Sequence, residues 1–435
     1  MSKILKILII ISFWPCWVMA RPLTADSVPS QERPLKWYNR FQVGGYGEAV
    51  MTRNFYSDSY LRYITPENYR NQAHGRFDIP HAVIYLGYDF GKGWSMGTEI
   101  EFEHGGIESA VEFENEEGGE YETELERGGE VALEQFWLQK SFLPQLNLRV
   151  GMMIVPVGQT NAHHMPTEFF GVYRPEGENT IMPCTWREVG VSLWGKAGAW
   201  RYELMFMPGL DSERFGNQSW IHDGSASPYE YKIANVYAGA FRIDNTSIRG
   251  LRMSLAGYIG NSFRNTMAPT ANDKNAGIHG TVSIGTFDFC YSDFGLIARG
   301  HFDYGHLSDS KRITSFNMSM PSKSPSKKQK VASDAISTGM EIGYDIFSLS
   351  RRLRASRQRF YVFGRYDYYD SMFRMADNDL DDKWCGRQRW AVGVNYYPIP
   401  QIVVKSEYSV GILRKPYNNE PSLSIGIAYS GWFIK

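Results

Sequence analysis

The stretch NAHHMPTEFFGVYRPEGE, residues 161–178, concentrates side chains that could carry acid–base chemistry or bind a cation. It contains the adjacent histidines His163 and His164, the guanidinium of Arg174, and carboxylates at Glu168, Glu176 and Glu178. Imidazole and carboxylate groups are the usual general acids and bases of enzymes and the usual ligands of divalent metals. Whether they do chemistry here depends on the elements that position them.

A catalytic site needs a nucleophile with its base, or a defined acid–base pair, and the sequence contains no recognised signature of either. Adjacent residues of an extended segment point to opposite sides, so His163 and His164 are poorly placed to bind one ion together. We therefore predict no catalytic residues, no metal site and no cofactor. A metal site and an ordinary surface loop remain the alternatives.

The first twenty residues have the pattern of a secretory signal peptide. Lys3 and Lys6 precede an apolar run over 7–18, and the run ends in the small-residue sequence VMA. A membrane-anchor helix is the alternative, but the run is short for a span of about 20 residues. We predict a signal peptide over 1–20 and a short periplasmic lead over 21–40.

The charge balance excludes some classes of partner. The chain has 46 basic and 47 acidic residues, which argues against nucleic acid as a partner. Beyond the signal peptide the cysteines are Cys184, Cys290 and Cys385, too far apart in sequence for a zinc motif or a disulfide framework. One pair could still be bridged.

Alternation with a period of two residues dominates the rest of the chain. In SMGTEIEFE, for example, Met96, Thr98, Ile100 and Phe102 alternate with Gly97, Glu99, Glu101 and Glu103. Since successive side chains of a β-strand point to opposite faces, each such segment has one apolar and one charged face. Aromatic residues make up 15% of the chain. The pattern predicts an all-β protein.

Sixteen segments of this kind can be counted, at about 41–53, 79–91, 94–105, 131–141, 146–155, 186–196, 199–208, 232–243, 248–260, 277–289, 293–304, 333–347, 357–369, 387–397, 401–411 and 421–433. The connections alternate strictly between short turns, such as 290–292, and long polar loops, such as 156–185. This arrangement is typical of outer-membrane barrels. We predict a 16-stranded antiparallel transmembrane β-barrel over 41–435, with short periplasmic turns and long extracellular loops.

The charged strand faces would then line the interior. From them we predict these pore-lining residues: Arg149, Arg201, Arg252, Arg299, Arg365, Arg389, Glu203, Glu341 and Asp345. Basic and acidic side chains on these faces are nearly equal in number, so the charges alone do not predict anion selectivity. The acidic loop 106–130 and the basic loop 305–332 are predicted to be solvated surface loops, the basic one being a candidate contact with lipopolysaccharide phosphates.

The segment VPVGQTNAHHMPTEFFGVYRPEGENTIMPCTWREVGVSLWG resembles the phosphate-selective porin (porin O and P) family. The resemblance rests on Pro156, Gly158, Asn161, His164, Arg174, Pro175, Pro183, Trp186, Glu188 and Gly190. It implies a channel of the bacterial outer membrane, in contact with outer-membrane lipid and lipopolysaccharide and usually a homotrimer. It also implies passive diffusion of small hydrophilic solutes or ions, including anions such as phosphate.

In channels of this kind the third long loop folds into the pore and narrows it. By this resemblance loop 156–185 is the constriction loop, and its constriction residues are predicted to be Asn161, His163, His164, Glu168 and Arg174. Three other readings stay open. They are a plugged barrel that acts as a binding, adhesion or structural surface, an outer-membrane barrel enzyme, and a soluble secreted β protein.

Overall fold

The computed structural model describes residues 37–69, 73–104, 110–113, 123–126, 131–227, 231–265, 275, 277–319, 330–376 and 382–434. The predicted signal peptide (1–20) and most of the predicted lead (21–40) lie outside the described residues. So do most of the acidic loop 106–130 and the basic run at 320–329. The end of the predicted lead, Trp37–Arg40, is a 3-10 helix that runs directly into the first strand.

Nineteen strands are present in the described residues. They are β1 (Phe41–Asn54), β2 (His74–Asp78), β3 (His81–Gly91), β4 (Trp94–Glu103), β5 (Ala110–Phe113), β6 (Thr123–Glu126), β7 (Val131–Leu143), β8 (Leu146–Ile154), β9 (Arg187–Ala197), β10 (Trp200–Pro208), β11 (Tyr237–Asn245), β12 (Leu251–Asn261), β13 (Thr281–Asp293), β14 (Leu296–Leu307), β15 (Asp334–Asp345), β16 (Arg359–Arg374), β17 (Gly386–Ile399), β18 (Ile402–Leu413) and β19 (Glu420–Ile434).

The described helices are short and lie in the connections. The α-helices are α1 (Gln159–Ala162), α2 (Glu176–Ile181), α3 (Ser310–Ser319) and α4 (Arg351–Ala355). Further 3-10 helices span Tyr60–Tyr63, Pro66–Tyr69, Ser212–Arg214, His222–Ser225 and Ile346–Leu349. No helix in the described part of the chain is both long and apolar enough to cross a membrane.

The main sheet closes on itself. Consecutive strands pair antiparallel along the chain, and β19 pairs with β1 from Val43 opposite Ile434 to Asn54 opposite Ser422. Strands β2 and β3 both pair with β1 and together fill one place in the ring, whereas β5 and β6 form a separate hairpin. The predicted closed 16-stranded antiparallel barrel is therefore confirmed.

The two faces of the wall have opposite character. In β18, for example, Val404 and Tyr408 are exposed on the outer side, whereas Lys405 and Glu407 are buried on the inner side. In β4, Phe102 is exposed while Glu99 and Glu101 are buried. The same alternation recurs around the ring, so the barrel has an apolar outer face and a polar, charged inner face.

Several predicted boundaries are wrong. The turn predicted at 290–292 is part of β13, where Cys290 lies opposite Arg299, and the chain reverses instead at Phe294 and Gly295. Both turn residues have positive φ, 54° and 80°, a conformation that glycine adopts without a steric penalty. The loop predicted at 54–78 contains β2, and the strand predicted over 232–243 begins only at Tyr237. Strand residues continue past the predicted strand ends, so residue composition alone does not locate the turns between strands.

Loop residues fill much of the barrel interior. A large cluster of buried apolar side chains joins wall residues to residues of the connections at 156–185, 209–231 and 305–332. Trp186, Trp220 and Ile221 are among its fully buried members, and the Trp220 indole N–H donates to the carbonyl oxygen of Ala332, 3.1 Å away. The interior near the loop ends is thus packed like a protein core.

Candidate functional site

Residues 156–185, here called the inner loop, leave the wall after β8 and return to it at β9. Between these points the loop contacts β15, β17 and β18, which lie across the ring from its two ends. A single segment can reach strands on opposite sides of a closed barrel only by crossing its interior. The inner loop therefore crosses the lumen.

The centre of the inner loop, residues 169–172, is held through its backbone. Buried Lys405 donates to the carbonyl oxygens of Phe169 and Gly171, at 3.0 and 2.7 Å. The carbonyl oxygen of Phe170 accepts a hydrogen bond from Asn395, at 3.0 Å. These wall side chains supply the partners that a buried backbone requires.

Two wall carboxylates complete this attachment. Glu341 accepts a hydrogen bond from the amide of Phe170 at 3.1 Å, and Glu407 accepts one from the amide of Val172 at 3.2 Å. The Phe170 ring stacks on Phe363, with centroids 5.3 Å apart. The wall thus fixes both the backbone of the segment and the side chain of Phe170.

A second attachment lies at α2. Nε of Arg389 is 2.8 Å from Oε2 of Glu176, and the hydroxyl of Tyr369 donates to the same oxygen at 2.7 Å. Burial by itself would raise the pKa of Glu176, but Arg389 and Tyr369 outweigh it and lower the pKa to about 2. Glu176 is therefore ionised at neutral pH.

Asn161 joins the two ends of the inner loop. Its side-chain amide donates to the carbonyl oxygen of Val155 at 2.7 Å, and its Oδ1 accepts from the amide of Trp186 at 2.6 Å. Glu178 accepts hydrogen bonds from the amides of Gln159 and Thr160 at the start of α1. The buried Asn161 thus has a positioning role.

The adjacent histidines point to different surroundings, although they follow α1 in a turn and do not lie on the extended segment that the sequence suggested. His163 lies between Glu168, whose Oε1 is 3.2 Å from Nδ1, and the guanidinium of Arg252. Burial and the Arg252 charge hold the pKa of His163 well below its usual value, so its ring is neutral at pH 7. Burial raises the pKa of Glu168.

His164 faces the opposite part of the wall. Its Nδ1 lies 3.0 Å from the carbonyl oxygen of Asn161, and its ring packs edge-on against Tyr46. Burial lowers its pKa. Arg174 connects the two halves of the loop, donating to the carbonyl oxygen of His164 and to the hydroxyl of Thr185, both at 3.2 Å.

The nine wall residues predicted to line the pore have partners within the barrel. The ion pairs are Arg201–Glu203, Arg252–Asp288, Arg299–Glu341, Arg365 with Asp367 and Glu407, Arg389 with Glu176 and Glu420, and Asp345–Arg359. Arg149 donates to Gln139 at 3.0 Å and lies over the ring of Trp137. Asp345 also accepts hydrogen bonds from the amides of Phe347 and Phe360, so it shapes a turn at one end of the barrel.

Sequence reasoning missed several inner residues. Arg242 is buried and paired with Asp288 at 2.7 Å, and continuing the alternation of Ala238 and Ala240 would have found it. Glu134 is also buried and continues the alternation of Ala132, and the register of β4 and β7 changes directly after it. Asn395 likewise continues the alternation of Arg389 and Ala391, but it carries no charge and was not selected.

A small cavity remains between the inner loop and strands β14 to β16. Its volume is about 30 Å³, and its polar lining includes His163, Glu168, Arg299, Glu341 and Arg365. A polar space of this size can hold water. Its charged and hydrogen-bonding walls can interact with a small polar solute.

Cys184, Cys290 and Cys385 are free thiols, so no pair of them is bridged in this structure. Burial raises the pKa of the Cys184 thiol to about 12, although the nearby Arg174 lowers it. At neutral pH Cys184 is therefore protonated.

The comparisons with known proteins support the architecture. No family model matches the chain. An uncharacterized protein of Aquifex aeolicus (strain VF5) is 25% identical over 394 residues, which make up 90% of this chain and 79% of that protein.

Two solved structures have a similar fold. For OmpF of Salmonella typhi, in complex with daunomycin, the TM-score is 0.53 at 10% identity, with 91% of this chain and 98% of that chain covered. For an anion-selective porin from Comamonas acidovorans, the TM-score is 0.50 at 9% identity, with 90% and 98% covered. The fold is that of outer-membrane porins, and the resemblance to the phosphate-selective family is not confirmed.

Proposed function

We propose that this chain is a porin of the bacterial outer membrane through which small hydrophilic solutes or ions diffuse passively. The observation that carries the proposal is the inner loop, which crosses the interior of a closed barrel whose outer face is apolar. A porin needs no catalytic group, so the proposal implies no enzymatic activity.

The outer face supports insertion in a membrane. Exposed apolar side chains recur at alternate strand positions, for example Leu204 and Phe206 in β10 and Ile425 and Ile427 in β19. Exposing such a surface to water is unfavourable in free energy, whereas contact with lipid hydrocarbon is not. The closed sheet also leaves no unpaired strand edge in the membrane. In this proposal the short turns face the periplasm and the long loops face outward.

The inner loop would set the size of the passage. Its central residues 169–172 are fixed to β15, β17 and β18, and the small cavity lies between the loop and β14 to β16. Asn161, His163, His164, Glu168 and Arg174 would act as constriction or loop-positioning residues.

Phosphate selectivity has weaker support. Arg299, Arg365 and Arg389 reach the interior, but each is paired with at least one carboxylate. Paired charges leave little net field for attracting anions. We therefore propose weak charge preference, with anions such as phosphate among the permeant solutes. Homotrimer formation and contacts with lipopolysaccharide are proposed from the family resemblance alone.

A plugged barrel that acts as a binding or adhesion surface is the second candidate. The observation in its favour is the density of wall-to-loop hydrogen bonds along residues 169–172, beside which the cavity between the loop and β14 to β16 is small. The two candidates differ in whether the folded protein conducts ions.

Single-channel recording of the refolded mature protein in a planar bilayer separates them. We expect discrete conductance steps, larger in a variant whose residues 165–173 are replaced by a short glycine–serine linker. Steps in the linker variant together with silence in the intact protein would support the plugged barrel. Silence in both, from protein shown to be folded, would contradict the porin proposal.

A further inference from the structure

A buried cluster on the β4–β7 side of the lumen combines two carboxylates with an imidazole. Glu99 of β4, Glu134 of β7 and His164 of the inner loop each place one potential ligand atom within 4.8 Å of the other two. All three side chains are buried, and Glu134 is 0% exposed. This set lies apart from the attachment of the loop to Lys405 and Arg389.

The hydrogen bond of His164 leaves one ring nitrogen available. Nδ1 lies 3.0 Å from the carbonyl oxygen of Asn161, which can only accept, so Nδ1 carries the proton and donates it. Nε2 then has a lone pair. A backbone carbonyl that fixes the tautomer in this way is the usual support of a metal-binding histidine.

Glu134 lies at a local irregularity in the pairing of the wall strands. In the pairing of β4 with β7, Glu99 lies opposite Gln135 and the next residue, Ile100, lies opposite Leu133, so Glu134 has no residue opposite it. Such bulges redirect side chains and are frequent beside functional sites. Oε1 of Glu134 is fully buried, and its nearest cationic atom, Nη1 of Arg187, is 3.6 Å away, too far for a hydrogen bond.

The positive charge around the cluster is small compared with its carboxylates. Glu101 lies beside Glu99 and Glu134, and Nη1 of Arg187 is 3.7 Å from Glu101 and 3.6 Å from Glu134. Arg174 directs two of its nitrogens to the inner loop, and its charge also acts on Glu99, Glu101 and Glu134, so two guanidinium groups face three carboxylates. Because buried carboxylates are costly without a compensating charge, this arrangement favours an added cation.

We propose that Glu99, Glu134 and His164 bind a divalent transition-metal ion of the Zn²⁺ class. An imidazole with two carboxylates suits Zn²⁺ or Mn²⁺, whereas Ca²⁺ and Mg²⁺ prefer all-oxygen sites. The ion would link the inner loop to β4 and β7, on a different part of the wall from the Lys405 attachment on β18. The site departs from the sequence-based expectation of no metal, because Glu99 and Glu134 join His164 only through the fold.

The test is Zn²⁺ binding to the full mature chain, refolded in detergent and freed of metal with a chelator. Isothermal titration with Zn²⁺ is expected to give one site per chain, which excess Ca²⁺ does not displace. His164→Asn and Glu134→Gln are each expected to weaken binding at least tenfold. His163→Asn is the matched control, since it changes the neighbouring histidine outside the cluster and is expected to bind like wild type.

Heat-modifiable migration in gel electrophoresis and the β signal in circular dichroism show that each variant is folded. A conservative second variant, Glu99→Gln, keeps the test open if Glu134→Gln does not fold. Absence of binding by the folded wild type, unchanged binding in folded His164→Asn, or equal competition by Ca²⁺ would overturn the proposal. Zn²⁺ binding that is lost in His81→Asn but retained in His164→Asn would also overturn it. That result would assign the ion to His81, Glu101 and Glu103.

Discussion

Nζ of Lys405 lies 2.7 Å from the carbonyl oxygen of Gly171, so this buried, positively charged side chain of the wall binds the backbone of the inner loop. The same kind of contact is found throughout the interior of the barrel. Its charges mostly bind one another or the loop, and few of them are left to face a solute.

Replacing Lys405 with methionine should loosen the centre of the inner loop. The carbonyl oxygens of Phe169 and Gly171 lose a charged donor, and hydrogen bonds of this kind contribute about 2 kcal/mol each to stability. We expect a lower urea midpoint of unfolding and a larger, noisier single-channel conductance. Lys383→Met, at an exposed position before β17, is the control and should change neither quantity. An unaltered conductance in folded Lys405→Met would show that residues 169–172 do not limit the passage.

The pair of Glu176 and Arg389 should make the inner loop sensitive to acid. The pKa of Glu176 is lowered from an ordinary 4.5 to about 2 in the folded protein, so its stabilising contribution is full above pH 4.5 and is lost as the pH falls toward 2. The side chain is 37% exposed, so salt should weaken the effect. We expect Glu176→Gln to reduce the pH dependence of the unfolding midpoint between pH 5 and pH 2.

The control for this experiment is Glu67→Gln, which alters an exposed glutamate in the 3-10 helix Pro66–Tyr69. Its pH profile should follow that of the wild type. A Glu176→Gln profile that also follows the wild type would mean that other carboxylates determine the acid sensitivity.

Breaking the pair Arg299–Glu341 from either side should shift ion selectivity in opposite directions. Arg299→Met leaves the Glu341 carboxylate without this partner beside the cavity, which should move the reversal potential toward cation selectivity. Glu341→Gln leaves the guanidinium and should move it toward anion selectivity. The measurement is the reversal potential across a bilayer in a KCl gradient. Shifts of the same sign would contradict the role assigned to the pair.

Asn161→Ala should destabilise the closure of the inner loop. The substitution removes hydrogen bonds to Val155 and Trp186. The Val155 carbonyl oxygen still accepts from the amide of Val157, but the buried amide of Trp186 is left unpaired, at a cost of about 1–3 kcal/mol. We expect faster limited proteolysis within 156–185 and a lower unfolding midpoint. Asn418→Ala removes one peripheral hydrogen bond, to Pro66, and should have the smaller effect. Equal protease resistance of the two variants would refute the closing role of Asn161.

The strands of the wall could be predicted from the sequence, because apolar and polar residues alternate along each strand according to the face on which they lie. Phe102 and Glu101, for example, were assigned to opposite faces from their spacing, and the first is exposed while the second is buried. The strand order followed from the alternation of turns and loops. The turn at Phe294–Gly295 was predicted a few residues too early, because the strand pattern continues through 290–292.

The site could not be predicted in the same way, because its contacts join distant segments. Glu341 meets Phe170 across 171 residues of sequence, and nothing near either residue indicates the other. Glu134 follows the alternation of Ala132, but its meeting with His164 depends on the path of the inner loop, which has no period-two signal. The residue types of the inner loop were therefore informative, whereas their partners were not.

The pairing of β1 with β19 has a consequence for how the molecule assembles. These strands lie at the two ends of the described chain, so the seam between them closes the largest chain loop in the protein. Long-range closure of this kind is slow, since its entropy cost is met before its hydrogen bonds form. Until the seam closes, two unpaired edges are open to other chains. Changes within β19 should therefore act first on the yield of folded protein, through aggregation of open intermediates, before they affect the finished barrel.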